Sequence, residues 1–180
     1  MLSKTASPVP GLGRIVQIAY VVNDVEQAAS RWITQFGAGP FFLFKDIRFA
    51  DWKYHGVHVE TPLDIAAGQL GDLVVEFIRP LTSCPSVYRD VHPDGGEGLH
   101  HFAVLAADME DATAHLAGAP LVTEAATPNR SRFRYYDTRP TLGVMLEVIE
   151  ATEDVRGLFK IFEDASRGWD GADPLRSISL

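Results

Sequence analysis

VQIAYVVNDVEQAASRW, residues 16–32, and HHFAVLAADMEDATAHL, residues 100–116, carry one pattern twice at a constant offset of 84. Ala19 falls on Ala103, Asp24 on Asp108, Glu26 on Glu110 and Ala28 on Ala112. The apolar positions correspond as well: Ile18 with Phe102, Val21 with Leu105, and Val25 with Met109. Each copy runs from a β-branched or aromatic strand through an Asp at an N-cap position into an alanine-rich helix. Self-similarity of this kind ranks above local propensity, because it identifies the unit the chain is built from.

A second matched pair lies further along. LVVEFIRPL, residues 73–81, resembles VMLEVIEA, residues 144–151, with Glu76 and Glu147 at equivalent places. Turn signals precede both, Gly71-Asp72 and Leu142-Gly143. Weaker strands are expected at Phe41–Lys45, Leu63–Ala67, Pro120–Thr123 and Phe133–Asp137. The sequence therefore predicts an α+β fold: two tandem βαβββ modules forming one curved, cleft-bearing mixed sheet with helices on the outside. The expected divisions are a flexible leader over 1–13, a first module over 14–81 and a linker over 82–97. A second module over 98–151 and a C-terminal helix and tail over 152–180 complete the chain. Leu158, Ile161, Phe162 and Ala165 stand at helical spacing in that last segment.

The 180 residues are 46% apolar and 22% charged, an ordinary globular composition with enough chain to bury a core. A net charge of −8, with no basic block, argues against nucleic acid and against an anionic membrane surface as partners. The single cysteine, Cys84, precludes a disulfide framework within the chain and a multi-cysteine zinc site. No apolar run approaches the roughly 20 residues of a membrane span, and the polar, Pro/Gly-rich start lacks a signal-peptide core. The expected setting is the cytoplasm.

Strand side chains alternate, so Gln17, Ala19 and Val21 share one face, opposite Val16, Ile18, Tyr20 and Val22. Likewise His101, Ala103 and Leu105 oppose His100, Phe102 and Val104. The bulkier face suits a helix, and the other offers one polar side chain beside a small Ala. Glu76 and Glu147 each interrupt an apolar strand, where an unpaired carboxylate costs several kcal/mol or takes up a proton. A lone Glu on such a strand ordinarily faces solvent, and a lone His is ordinarily a satisfied core residue. Here Gln17/His101 occupy one repeat-equivalent position and Glu76/Glu147 the other, so a pseudo-twofold axis brings all four toward one point. Oxygen and imidazole donors suit one divalent ion such as Zn, Ni, Co, Mn or Fe.

The segments VQIAYVVNDVEQA, GDLVVEFIRPL, GLHHFAVLAADME and LGVMLEVIE resemble the vicinal oxygen chelate superfamily, which includes glyoxalase I, methylmalonyl-CoA epimerase and the extradiol dioxygenases. That resemblance implies a metal held by Gln17, Glu76, His101 and Glu147. It also implies a small-molecule substrate that binds the metal through vicinal or carbonyl oxygens. In the isomerase, epimerase and lyase branches the metal acts as a Lewis acid, and a carboxylate moves a proton on carbon through an enediolate or enolate. Glu147 is the favoured base and Glu60 the reserve. The ligand set matches glyoxalase I, whereas GLHHFAV and the EFIRPL context look closer to the epimerase. Two alternatives accompany this reading: a binding or resistance protein on the same fold, and an Fe(II) dioxygenase. Extradiol dioxygenases use two His and one carboxylate, and Gln17 in place of a His counts against oxygen activation. The expected assembly is a homodimer.

The first module is the longer, with Gln17 and Glu76 separated by 59 residues against 46 for His101 and Glu147. Its insertion carries Asp51, Trp52, Tyr54, His55 and His58, placed to line one side of the pocket. His55 and His58 have no metal-pair spacing on a helix, and Cys84 has no basic neighbour to activate it. Arg79, Arg89 and Arg139 are read first as surface residues, second as anchors for a substrate anion.

Overall fold

A computed structural model of the protein describes residues 11–178, and for Asp94 the backbone alone. The first module comprises β1 (Ile15–Val21), α1 (Val25–Phe36), β2 (Phe41–Ile47), β3 (Ala50–Tyr54), β4 (Val57–His58), β5 (Leu63–Leu70) and β6 (Leu73–Pro80). A connector follows with α2 (Val87–Val91) and a tight turn at Pro93–Gly95. The second module comprises β7 (Gly98–Ala106), α3 (Met109–His115), β8 (Leu121–Ala126), β9 (Arg132–Tyr136), α4 (Arg139–Leu142) and β10 (Met145–Glu150). The chain closes with α5 (Glu153–Ser166) and β11 (Leu175–Ser177).

The repeat reaches down to capping. Asp24 accepts hydrogen bonds from the amides of Glu26 and Gln27, and Asp108 from those of Glu110 and Asp111, satisfying donors that a helix N-terminus leaves free. It also sets the register. Ala19 on β1 pairs with Glu76 on the parallel β6, and Ala103 on β7 pairs with Glu147 on the parallel β10.

Among the described residues the strands form one mixed sheet in the order β11-β2-β5-β6-β1-β7-β10-β9-β8-β3-β4. The two modules meet edge to edge through the antiparallel β1–β7 pair. Helices α1 and α3 pack on the outer face of their own modules: Val25, Ala28 and Ala29 against Phe41, Val75 and Phe77, and Met109 and Ala112 against Val104, Leu146 and Val148. The opposite faces of the same strands carry Phe42, Phe44, Ile65, Val74, Phe133 and Met145 and form the core between the modules.

Two segments close over that inner face. The insertion β3–β4 leaves β2 at one end of the sheet and pairs through β3 with β8 at the other. Trp52 on β3 is buried against Phe133 and Phe49. Helix α5 starts at Thr152, whose hydroxyl accepts from the Val155 amide, and lays Val155 and Phe162 into the core. No helix among the described residues is long and apolar enough to cross a membrane.

Three details depart from the sequence reading. Residues 1–10 of the expected leader lie outside the described residues, whereas Leu12 packs against the α3 cluster. The polar connector contains α2, because Val87 and Tyr88 are an apolar pair that the core takes in completely. Strict alternation also fails at His100. Ala19 pairs with His101 but Tyr20 pairs with Leu99, so His100 is an extra residue in β7. Such a bulge re-aims side chains, and here both histidines are buried on the inner side.

Candidate functional site

The four predicted donors lie on the four central strands: Gln17 on β1, Glu76 on β6, His101 on β7 and Glu147 on β10. Strand order alone puts them together, since β6-β1-β7-β10 are consecutive neighbours. Gln17 Nε2 donates to Glu76 Oε2 at 2.9 Å. His101 Nε2 stands 3.1 Å from Glu147 Oε2 and 3.8 Å from Glu76 Oε2. Gln17, His101 and Glu147 are buried, and Glu76 is nearly so. Burial, with the Glu147 charge beside it, pushes the Glu76 carboxyl well above the usual carboxylate range.

The hydrogen bonds fix which face His101 presents. His100 Nε2 lies 3.1 Å from the Val87 carbonyl, which only accepts, so Nε2 carries the proton. Burial, and next the neighbouring His101, hold His100 well below its ordinary pKa and hence neutral. Its bare Nδ1 accepts from Nδ1–H of His101 at 2.8 Å. With the proton on Nδ1, His101 turns the lone pair of Nε2 toward the two carboxylates, and this buried atom makes no hydrogen bond. A lone pair facing carboxylate oxygens is repulsive unless a cation or proton lies between them.

A divalent ion fits this set. Donors held side by side at about 2.0–2.2 Å from one ion stand about 3 Å apart, close to the spacings seen here. Gln17 adds an amide that offers a nitrogen on one side and an oxygen on the other. Among the described residues no three His, Cys, Asp or Glu side chains already frame a metal position.

The donors open into a cavity of about 120 Å³. Gln17, Glu76 and Glu147 form its polar end, and Phe44, Ile65, Phe133 and the α5 residues Leu158, Phe159 and Phe162 form much of its wall. Two tyrosines that sequence reasoning passed over line it as well. The hydroxyls of Tyr88 and Tyr135 are 3.4 Å apart, and desolvation holds both pKa values well above the ordinary phenol value. They stay protonated and can donate to an oxygen that gains charge. Tyr135 was open to discovery: the β9–β10 ladder sets it directly opposite Glu147.

The other sequence candidates lie elsewhere. Glu60 sits on the surface with its side chain 91% exposed, 3.6 Å from Arg48, and does not line the cavity. Its exposure and its absence from the cavity lining do not favour it as the reserve base. The insertion supplies buried Trp52, but Asp51, His55 and His58 are exposed. Tyr54 donates to Asp90 at 2.7 Å, and its pKa is raised to about 12 by burial and then by that carboxylate. Arg79 pairs with Asp64, Arg89 donates to the Thr82 carbonyl, and Arg139 ties Asp137 to the Asp90 carbonyl. Cys84 is exposed.

A pH effect follows from Glu76. A carboxyl whose folded pKa is raised binds its proton more tightly folded than unfolded, so stability falls as pH rises from about 4.5 through the raised value. Metal-free protein is expected to show a falling urea midpoint between pH 5 and 8, and Glu76→Gln a flatter profile with the higher midpoint at pH 8. Parallel profiles for the two proteins would contradict this account of the site.

No curated protein matches the chain. Among solved structures, methylmalonyl-CoA epimerase from Mycobacterium tuberculosis superposes with a TM-score of 0.54 at 16% identity, over 87% of this chain and 97% of that one. Hypothetical protein BH1468 from Bacillus halodurans gives a TM-score of 0.56 at 17% identity, over 78% and 95%. A methylmalonyl-CoA epimerase in complex with methylmalonyl-CoA and NH4+ gives 0.54 at 17%, over 79% and 96%. Identities this low establish a shared fold and nothing finer. The profile of the glyoxalase/bleomycin resistance protein/dioxygenase superfamily matches residues 16–135, a span that holds the repeated strand–helix pattern and three of the four inward donors, and the chain belongs to that superfamily.

Proposed function

We propose that the protein is a metal-dependent isomerase, epimerase or lyase that moves a proton on a carbon next to a carbonyl. The observation that carries this reading is the convergence of Glu76, Glu147 and the lone pair of His101 at the polar end of a cavity between the modules. Members of the superfamily generally use a divalent metal ion, and Gln17, Glu76, His101 and Glu147 would hold it here. When bound, the ion supplies positive charge that stabilises a substrate oxygen as it becomes anionic.

The chain's own residues do the rest. Glu147, on a carboxylate oxygen that is free of the ion, takes the proton: the C–H bond breaks, its electron pair becomes the C=C bond of an enolate, and the former carbonyl electrons move to oxygen. Return of a proton to the opposite face of the same carbon completes an epimerisation. Where that carbon bears a hydroxyl, passage of the hydroxyl proton to the enolate oxygen and return of the carbon-bound proton to the former carbonyl carbon completes an isomerisation. The hydroxyls of Tyr88 and Tyr135 are placed to donate to the developing oxyanion, and the apolar wall excludes water from it. His100 keeps His101 in the tautomer whose Nε2 faces the site. The donor set holds one imidazole where the two-His-one-carboxylate oxygenases use two, so oxygen activation is the less favoured chemistry.

Zn²⁺- or Ni²⁺-loaded protein, incubated in D₂O with a panel of α-hydroxyketones, is expected to place deuterium on the carbon beside the carbonyl, followed by NMR. Glu147→Gln should reduce the exchange by about 100-fold or more, within the range ascribed to a positioned base. Turnover that requires Fe²⁺ and consumes O₂ in step with substrate would contradict the proposal.

A further inference from the structure

The cavity also constrains what enters it. Beyond the donors its wall is made of aromatic and branched aliphatic side chains, and Glu76 and Glu147 are the charged residues among those that line it. No Lys or Arg reaches it among the described residues: Arg79, Arg89 and Arg139 are spent on Asp64, the Thr82 carbonyl and Asp137. The cations Arg14, Arg156 and Lys160 border a different groove, on the far side of Phe159. With the charge of a divalent ion offset by Glu76 and Glu147, a substrate carboxylate or phosphate would add a negative charge to an apolar enclosure in which the chain supplies no counter-charge.

Size gives the same answer. The volume of about 120 Å³ approaches that of an engineered apolar cavity of about 150 Å³ that takes up benzene. Helix α5 occupies the rest of the inner face, held by the Thr152 cap, by buried Val155, and by Phe162 against Phe42 at 5.4 Å between ring centroids. The nucleotide of a nucleotide-bearing thioester would have to stay outside this volume while α5 is docked.

Resting on the metal-centred reading above, we infer that the substrate is a small uncharged carbonyl compound with an apolar body. Its body is an aryl or branched-alkyl group of about six heavy atoms or fewer, sized by comparison with the benzene-binding cavity. Phe133, Leu158 and Phe159 select that body, and the Gln17–Glu76–Glu147 end receives the oxygens. Helix α5, which belongs to neither repeat, is thus a determinant of specificity.

Calorimetric titration of Zn²⁺-loaded protein with benzohydroxamate and acetohydroxamate tests this, since the two probes share their chelating oxygens and differ in the body. After correction for their affinities for free Zn²⁺, benzohydroxamate should bind about 30-fold tighter or more, from the extra apolar area buried at about 25 cal/mol per Å². Coenzyme A at millimolar concentration should not displace it. A ratio near one, or displacement by coenzyme A, would overturn the inference. Toluene, which has no donor atom, separates this inference from the metal reading. It should raise the melting temperature of metal-free protein measurably, as a ligand of the folded state does. If the protein takes up no divalent ion, a toluene shift alone supports the apolar-body inference while the metal reading falls. Absence of the shift overturns the inference whether or not an ion binds.

Discussion

His101→Ala is expected to abolish tight binding of a divalent ion while leaving both modules folded. The loss should exceed the roughly 10–100-fold that follows when an outer hydrogen-bonding partner is removed. His100→Phe supplies that comparison within the same protein. It keeps an aromatic ring beside Tyr88 but removes the acceptor that orients His101, so affinity should fall by about 10–100-fold. The two variants together separate a ligand from the group that positions it. Competition against a chromogenic chelator measures both affinities, and circular dichroism reports the fold. Unchanged ion affinity in His101→Ala would place any bound ion elsewhere on the chain.

The second large effect belongs to α5. Phe162 is almost fully buried among Phe42 and Phe159, and truncating a buried Phe to Ala typically costs about 3–5 kcal/mol. Domains of this size have a total stability of about 5–15 kcal/mol, so Phe162→Ala should lower the urea midpoint by a large fraction of its value. Ending the chain after Glu150 also removes buried Val155, worth about 1.5–3 kcal/mol, and half-buried Leu158 and Phe159, each worth a part of that, and bares the inner face. That shortened protein should bind a hydrophobic dye and lose its cooperative transition. An unchanged midpoint in Phe162→Ala would mean that α5 does not hold the core together.

The repeat made the architecture legible because it appears at three independent levels: the strand pattern, the Asp caps at Asp24 and Asp108, and the paired Ala–Glu registers. It also brought the four donors together in expectation, since equivalent positions on consecutive central strands must approach a shared axis. What escaped was whatever breaks the repeat. The bulge at His100 cannot be read from a period of two, because one inserted residue changes the face of a side chain without changing composition. The β3–β8 pairing joins opposite ends of the sheet, a long-range choice that local pattern does not encode. Tyr88 came from a connector whose Pro and Gly content hid two buried residues. Glu60 is a different case: its spacing before Glu76 suggested a base, but it precedes β5, whose Ile65 and Ala67 line the cavity, and its own side chain is exposed beside Arg48.

One divalent ion is expected on Gln17, Glu76, His101 and Glu147. X-ray absorption at the zinc edge of stoichiometrically loaded protein addresses it most directly. The account predicts a shell of oxygen and nitrogen donors at about 2.0–2.2 Å with the multiple-scattering pattern of a single imidazole, lost in His101→Ala. Two or more imidazoles, or a sulfur donor at about 2.3 Å, would contradict it.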